Sequence, residues 1–174
     1  MNAPSNRQAG DDAPLYAGAE SPQELRFYPR HTRRFAGEPS RLDFAIRYAG
    51  DDCGEGLVAL RGFAAGEIVF VFTGAVVHEV TQYTLQIDTN LHIHDPYVMG
   101  KVLHHCAPNC RVAVARRAFI AIRSIAAGDF VTMDYCQTED VLFKSFACRC
   151  GAPQCRAVIR GRRSPAGLIP TENG

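Results

Sequence analysis

Nowhere does this sequence hold an apolar run long enough to span a bilayer. Its start, MNAPSNRQAGDDAPLYAGAE, also lacks a basic opening followed by a hydrophobic stretch. Neither a membrane helix nor a secretory leader is therefore expected. Charge of one sign is equally scarce: 19 Lys and Arg stand against 18 Asp and Glu, a net +1, which leaves no whole-chain attraction to nucleic acid or to an anionic membrane. With 174 residues and 47% hydrophobic content, the chain suits one globular domain with a modest core. The expectation is a soluble intracellular protein, cytoplasmic or nuclear, with no membrane contact and no direct nucleic-acid partner.

Cysteine, by contrast, is plentiful. Seven are present, and in a reducing compartment they point to metal or reactive-thiol use before disulfides. Three of them, Cys148, Cys150 and Cys155, fall within FACRCGAPQCRAVI at 146–159 as Cys-x-Cys-x4-Cys beside Gly151 and Pro153. Structural zinc takes four N or S ligands, so this set is one short. Cys53, Cys106, Cys110 and Cys136 can supply a thiolate and His104 and His105 a nitrogen; spacing alone does not choose among them. VLHHCAPNCRV at 102–112 could hold a Cys-His nucleophile pair, but adjacent residues do not face each other, and a polar turn between strands is the plainer reading. His92 and His94 in LHIHD are expected on an exposed polar strand face.

The chain divides into three parts. Residues 1–41 mix Pro, Gly, Asn, Asp and Arg without a sustained apolar period and are expected to be flexible or loosely docked. Within them LRFYPRHTRRF, 25–35, interleaves five basic residues with aromatics and reads as a solvated basic loop. From Leu42 the pattern changes to short β-type runs: LDFAIRY, GLVAL, EIVFVFTG, YTLQI, RVAVA, AFIAI and FVTMDY. A mainly antiparallel β domain over 42–143 follows, with one helix start expected at TEDVLFKSF, 138–146. GFAAGEIVFVF at 62–72 and SIAAGDFVTMDY at 124–135 echo each other; two similar Gly-bearing turns account for that without a repeat. A cysteine segment, 144–160, and a flexible tail, 161–174, complete the chain.

Read in order, GEG at 54–56, AAGEIVFVFTG at 64–74, YTLQID at 83–88, HHCAPN at 104–109, IAAGDFVTMDY at 125–135 and CRCGAPQC at 148–155 resemble the SET-domain protein lysine methyltransferases. They look like that family's Gly-x-Gly cofactor loop, its Asn-His-x-Cys-x-Pro-Asn signature, its Asp-Tyr motif and its post-SET zinc segment. The resemblance spans roughly residues 42–160. It implies a β-clip-like SET fold of short antiparallel sheets, S-adenosylmethionine as cofactor, one structural zinc ion per chain, and methyl transfer to a lysine-bearing protein substrate, histone or other. The other classes are a non-catalytic SET-like, zinc-stabilised binding module and a thiol or metal sensor.

By the same resemblance Cys106 joins Cys148, Cys150 and Cys155 on zinc, stapling a tail too short to bury a core of its own. Tyr135 is the catalytic tyrosine; Gly54, Glu55, Gly56, Leu57, Tyr83, Leu103, His104 and Tyr135 line the cofactor, with Asn109 buttressing the turn. Two positions depart from the pattern. Leu103 stands where the signature has Asn, removing an amide that would contact the cofactor. Met133 stands where relatives carry Phe or Tyr, and with no hydroxyl to hold a water it favours multiple methylation. An exposed strand edge in so small a domain could also pair two copies.

Overall fold

The computed structural model describes residues 23–163. Its strands are β1 (Phe44–Tyr48), β2 (Glu55–Ala59), β3 (Ile68–Val71), β4 (Ala75–Val77), β5 (Thr84–Asp88), β6 (Leu91–His94), β7 (Leu103–His104), β8 (Cys110–Ala113), β9 (Ala118–Ala121), β10 (Thr132–Met133), β11 (Phe146–Ala147) and β12 (Val158–Ile159). Helical structure among the described residues is limited to short 3-10 turns. The strands form small sheets: β1 with β2, β3-β9-β8, β4-β6-β5 and β11 with β12, all antiparallel. The exception is the pair β7 and β10, which run parallel with Leu103 opposite Thr132 and His104 opposite Met133.

Phenylalanines hold these sheets together. Phe44 stacks on Phe63 at 5.4 Å and meets Phe70 edge-on at 5.7 Å; Phe70 stacks on Phe119 at 4.7 Å. These rings tie β1 to the β3-β9-β8 sheet. Four consecutive buried residues in β9 explain why AFIAI has no polar alternation: both its faces are covered.

The echoed turns pair with each other. Phe63 and Ile125 exchange backbone hydrogen bonds at 2.9 Å in both directions. In each turn an alanine N–H, of Ala64 or Ala126, donates to the carboxylate three residues on, Glu67 or Asp129. Gly66 at φ +88° and Gly128 at φ +96° occupy the left-handed region that glycine enters without strain.

Four expectations are corrected. Residues 23–41 are docked, because Tyr28 is buried and its hydroxyl donates to Asp95 Oδ2 at 2.7 Å. Asp95 in turn accepts the N–H groups of Tyr97, Val98 and Met99. Nearby, Arg26 makes a two-point pair with Glu38 and donates to Thr32 O. Residues 1–22 lie outside the described residues. The helix expected at 138–146 does not form: the 3-10 turn Tyr135–Gln137 ends there, since the Glu139 carboxylate is drawn to Gln86 N–H and Gln86 also binds Asp140. The start of the expected tail is pinned as well, with Arg162 and Arg163 both on Asp140; residues 164–174 lie outside the described residues. Finally, His92 is buried rather than exposed, because β6 is the central strand of its sheet.

Candidate active site and metal centre

Three separated stretches meet around Tyr135. The first is the loop into β2. Gly54 takes φ +68°, which lets the chain reverse between Gly50 and β2 while Ala49 N–H donates to Gly54 O at 2.7 Å. A Cβ at Gly56 would lie 2.7 Å from both Leu103 Cδ1 and Phe130 Cδ1, so only glycine allows this approach. The second stretch is β7 and the turn after it, which Asn109 holds. Asn109 Nδ2 donates to Phe130 O at 2.8 Å, its Oδ1 accepts Thr132 N–H at 2.8 Å, and its own N–H donates to Thr132 Oγ1 at 3.0 Å. With its amide fully engaged and buried, Asn109 fixes the turn to β10. The third stretch is β10 itself, tied to β2 by Val131 N–H donating to Leu57 O.

Tyr135 then sits where these stretches converge. Its hydroxyl donates to Val102 O at 2.8 Å and its N–H donates to His104 Nδ1 at 3.2 Å. Burial, with Glu139 and Cys53 adding to it, raises the phenol's pKa well above the ordinary tyrosine value, so the hydroxyl stays protonated. Burial likewise lowers His104, to about 4, against the pull of Asp134. Because Nδ1 accepts from the Tyr135 amide, the proton of the neutral ring belongs on Nε2, which lies 3.4 Å from Cys106 Sγ.

The four cysteines Cys106, Cys148, Cys150 and Cys155 have their sulfur atoms all within 4.8 Å of one another, and Cys106 and Cys148 are 3.9 Å apart. Regular tetrahedral thiolates at about 2.3 Å from zinc are roughly 3.8 Å apart. The set fits zinc. Around it, Arg156 N–H donates to Cys106 Sγ at 3.4 Å, and His105 Nε2 meets Cys150 O at 3.1 Å while its Nδ1 accepts Ala107 N–H. The two histidines thus support the sulfur set from outside. Cys110 is buried, its thiol pushed up to about 12 chiefly by burial, and serves the core.

The tail carrying three of these cysteines forms a wall of the site. Phe146 in β11 packs edge-on against His104 at 5.8 Å and Tyr135 at 6.2 Å. Arg156 makes a two-point pair with Asp134, the residue before the tyrosine.

Other residues named from sequence fall as follows. Tyr83 is half-buried, and Lys101, which sequence reasoning missed, places its Nζ 4.9 Å over the Tyr83 ring and 2.7 Å from Glu55 Oε2. Leu103 puts its side chain against Gly56. Leu57 is fully buried with its carbonyl taken by Val131; its side chain serves the core and has no surface to offer a ligand. Glu139 and Asp140 are consumed internally. Nothing in one sequence signals the roles of Lys101 or Arg156, since a lone cation carries no spacing rule.

The SET domain family model matches residues 54–136. Residues 54–136 of the chain are a SET domain. Among curated proteins, the histone-lysine N-methyltransferase EHMT1 of Mus musculus is 32% identical over 155 residues, which cover 73% of this chain and 12% of that protein. The histone-lysine N-methyltransferase ash1 of Drosophila melanogaster is 29% identical over 148 residues, 71% of this chain and 7% of that one. This SET-domain chain therefore spans about an eighth or less of the length of these relatives. Among solved structures, KRYPTONITE in complex with mCHG DNA and SAH superposes with a TM-score of 0.53 at 24% identity, over 66% of this chain and 29% of that one. That likeness gives the fold: the small antiparallel sheets around the parallel β7 and β10 pair are a SET fold.

Proposed function

We propose that this SET domain is an S-adenosylmethionine-dependent protein-lysine N-methyltransferase. The observation that carries the proposal is Tyr135, protonated and anchored on Val102 O where the Gly54–Gly56 loop, the Cys106 turn and the tail converge. Bound there, S-adenosylmethionine supplies a methyl group activated by a positively charged sulfur. Glu55 and Lys101 present opposite charges 2.7 Å apart beside the Tyr83 ring, and can meet the ammonium and carboxylate of the cofactor's amino-acid end. That pairing offsets the amide absent at Leu103. Cys106, Cys148, Cys150 and Cys155 hold zinc, and the ion keeps Phe146 against Tyr135.

Tyr135 orients the reacting groups and takes no proton, since it already holds its own. Neutral His104 has Nδ1 occupied by the Tyr135 amide and is equally unable to act as base. The lysine amine, with an ordinary pKa of about 10.4, therefore arrives deprotonated at a cost of about 4 to 5 kcal/mol at pH 7, lowered by the apolar wall of Phe146 and by the cofactor's positive charge. Its proton goes to solvent. Buried Met133 offers no hydroxyl to hold a water beside the amine, which favours more than one transfer per lysine.

The first test is calorimetric titration of the zinc-loaded chain with S-adenosylmethionine. Micromolar binding is expected, with methyl transfer to a lysine-rich protein that rises with pH and is lost in Tyr135→Phe while cofactor binding persists. Packing of Leu103 on Gly56 favours one other reading, a zinc-stabilised binding module without turnover; folded, zinc-loaded protein with no detectable cofactor binding establishes that reading instead.

A further inference from the structure

Several arginines of this chain are held by carboxylates. Arg26 is held by Glu38, Arg61 by Asp43 and Glu67, Arg149 by Asp52, Arg156 by Asp134, and Arg162 and Arg163 by Asp140. Two turns break that pattern. Segment 29–37, PRHTRRFAG, and segment 111–118, RVAVARRA, contain no acidic residue. Arg30, His31, Arg33, Arg116 and Arg117 within them are exposed, with no side-chain hydrogen bond or ion pair among the described residues.

The fold brings these turns together on one edge. Val71 N–H donates to Gly37 O at 2.8 Å and the next residue, Phe72, donates to Arg117 O at 2.9 Å. Both turns are also fixed. The buried Arg26 guanidinium donates to Thr32 O at 3.0 Å and Thr32 N–H to Pro29 O, while Arg117 closes the hairpin from β8 to β9 at φ 48°. Rigid placement reduces the entropy lost when a partner is met.

We propose that this edge binds the phosphate backbone of a nucleic acid. The four cations of this edge with no partner among the described residues are all guanidiniums, whose planar forks match phosphate oxygens at two points. No other anion source fits as well. An anionic membrane is better served by basic residues flanking an apolar wedge, and neither turn projects one. A near-neutral whole chain does not oppose the idea, because four guanidiniums are gathered on this edge while six others are held by carboxylates elsewhere. The inference rests on the proposed lysine methyltransferase activity for its purpose: a substrate met while it is itself bound to nucleic acid, so that enzyme and substrate share one polyanion.

The test uses the full zinc-loaded chain and a fluorescent 20-base-pair duplex, read by anisotropy. Neutralising about four phosphates predicts binding that weakens about 100-fold from 50 to 200 mM salt. The quadruple variant Arg30→Ala, Arg33→Ala, Arg116→Ala, Arg117→Ala is expected to lose at least 10-fold at low salt, whereas Arg47→Ala, an exposed cation in β1, leaves binding unchanged. Absent duplex binding, an unaffected quadruple variant, an equal loss from Arg47→Ala, or equal competition by polyglutamate or by phosphatidylserine vesicles each overturns the proposal. Cofactor titration run on the same samples separates the two readings: loss of S-adenosylmethionine binding in the parent chain sinks the methyltransferase and leaves the duplex result standing.

Discussion

The β core and the cysteine tail are held by opposite means. Between β1 and β9 the chain buries Phe44, Phe63, Phe70, Phe72 and Phe119, each contributing some 150 to 250 Å² of covered area. Between residues 146 and 159 the described side chains give almost nothing to a core beyond Ile159 and Cys148, and two residue pairs make the whole of its sheet. The tail is positioned by sulfur and by charge. Release of the tail is therefore expected to leave the β core folded and to dismantle the wall beside Tyr135.

The largest expected effect comes from the core. Phe119→Ala should cost about 3 to 5 kcal/mol, read as a fall in denaturation midpoint of the entire chain; a loss confined to residues 146–163 by hydrogen exchange would erase the contrast. Next comes Cys148→Ser or a strong chelator. Either is expected to release the tail, with hydrogen-exchange protection lost over 146–159, activity abolished, and the β core's protection retained.

A smaller effect sharpens the comparison at the join. Burial raises Glu139 to about 7, against the N–H it accepts from Gln86. A carboxyl whose folded pKa exceeds its unfolded value of about 4.3 holds an extra proton when folded, so stability falls as pH rises from about 4.3 to about 7 and then levels. Glu139→Gln should remove that slope, giving about 1 to 2 kcal/mol over the parent at pH 8 and little difference at pH 4. Smallest of all, Arg149→Ala removes a pair to Asp52 that is mostly exposed on both sides and should change stability by less than 1 kcal/mol.

The same division governs what the sequence reveals. Core strands are legible because Val, Ile and Phe runs separated by Gly turns have few alternatives, and all seven β-type runs contain a strand. The four-cysteine set is legible as chemistry, yet its fourth member was named only by the family's ordering of motifs; no spacing rule reaches across the 42 residues from Cys106 to Cys148. Docking of residues 23–41 was hidden because its anchors are polar: Arg26 with Glu38 and Tyr28 with Asp95 look like loop residues until their partners, 12 and 67 positions away, are known. The false helix at 138–146 has the same origin. Thr138, Glu139 and Asp140 carry good capping chemistry, but Gln86 of β5 takes both acidic residues.

One consequence of the parallel β7 and β10 pair concerns the order in which the molecule is made. The pair joins segments whose partners in the site begin at Gly54 and end at Cys155, and Val131 must find Leu57 before Tyr135 has a place to sit. The Leu57 to Val131 contact closes a longer loop than either β7 with β10 or β3 with β9, and that entropy must be met before the contact rewards it. A collapsed chain with its phenylalanines packed but Val131 not yet on Leu57 therefore has a hydrophobic core and no place for Tyr135, so the candidate site is completed only when that contact closes.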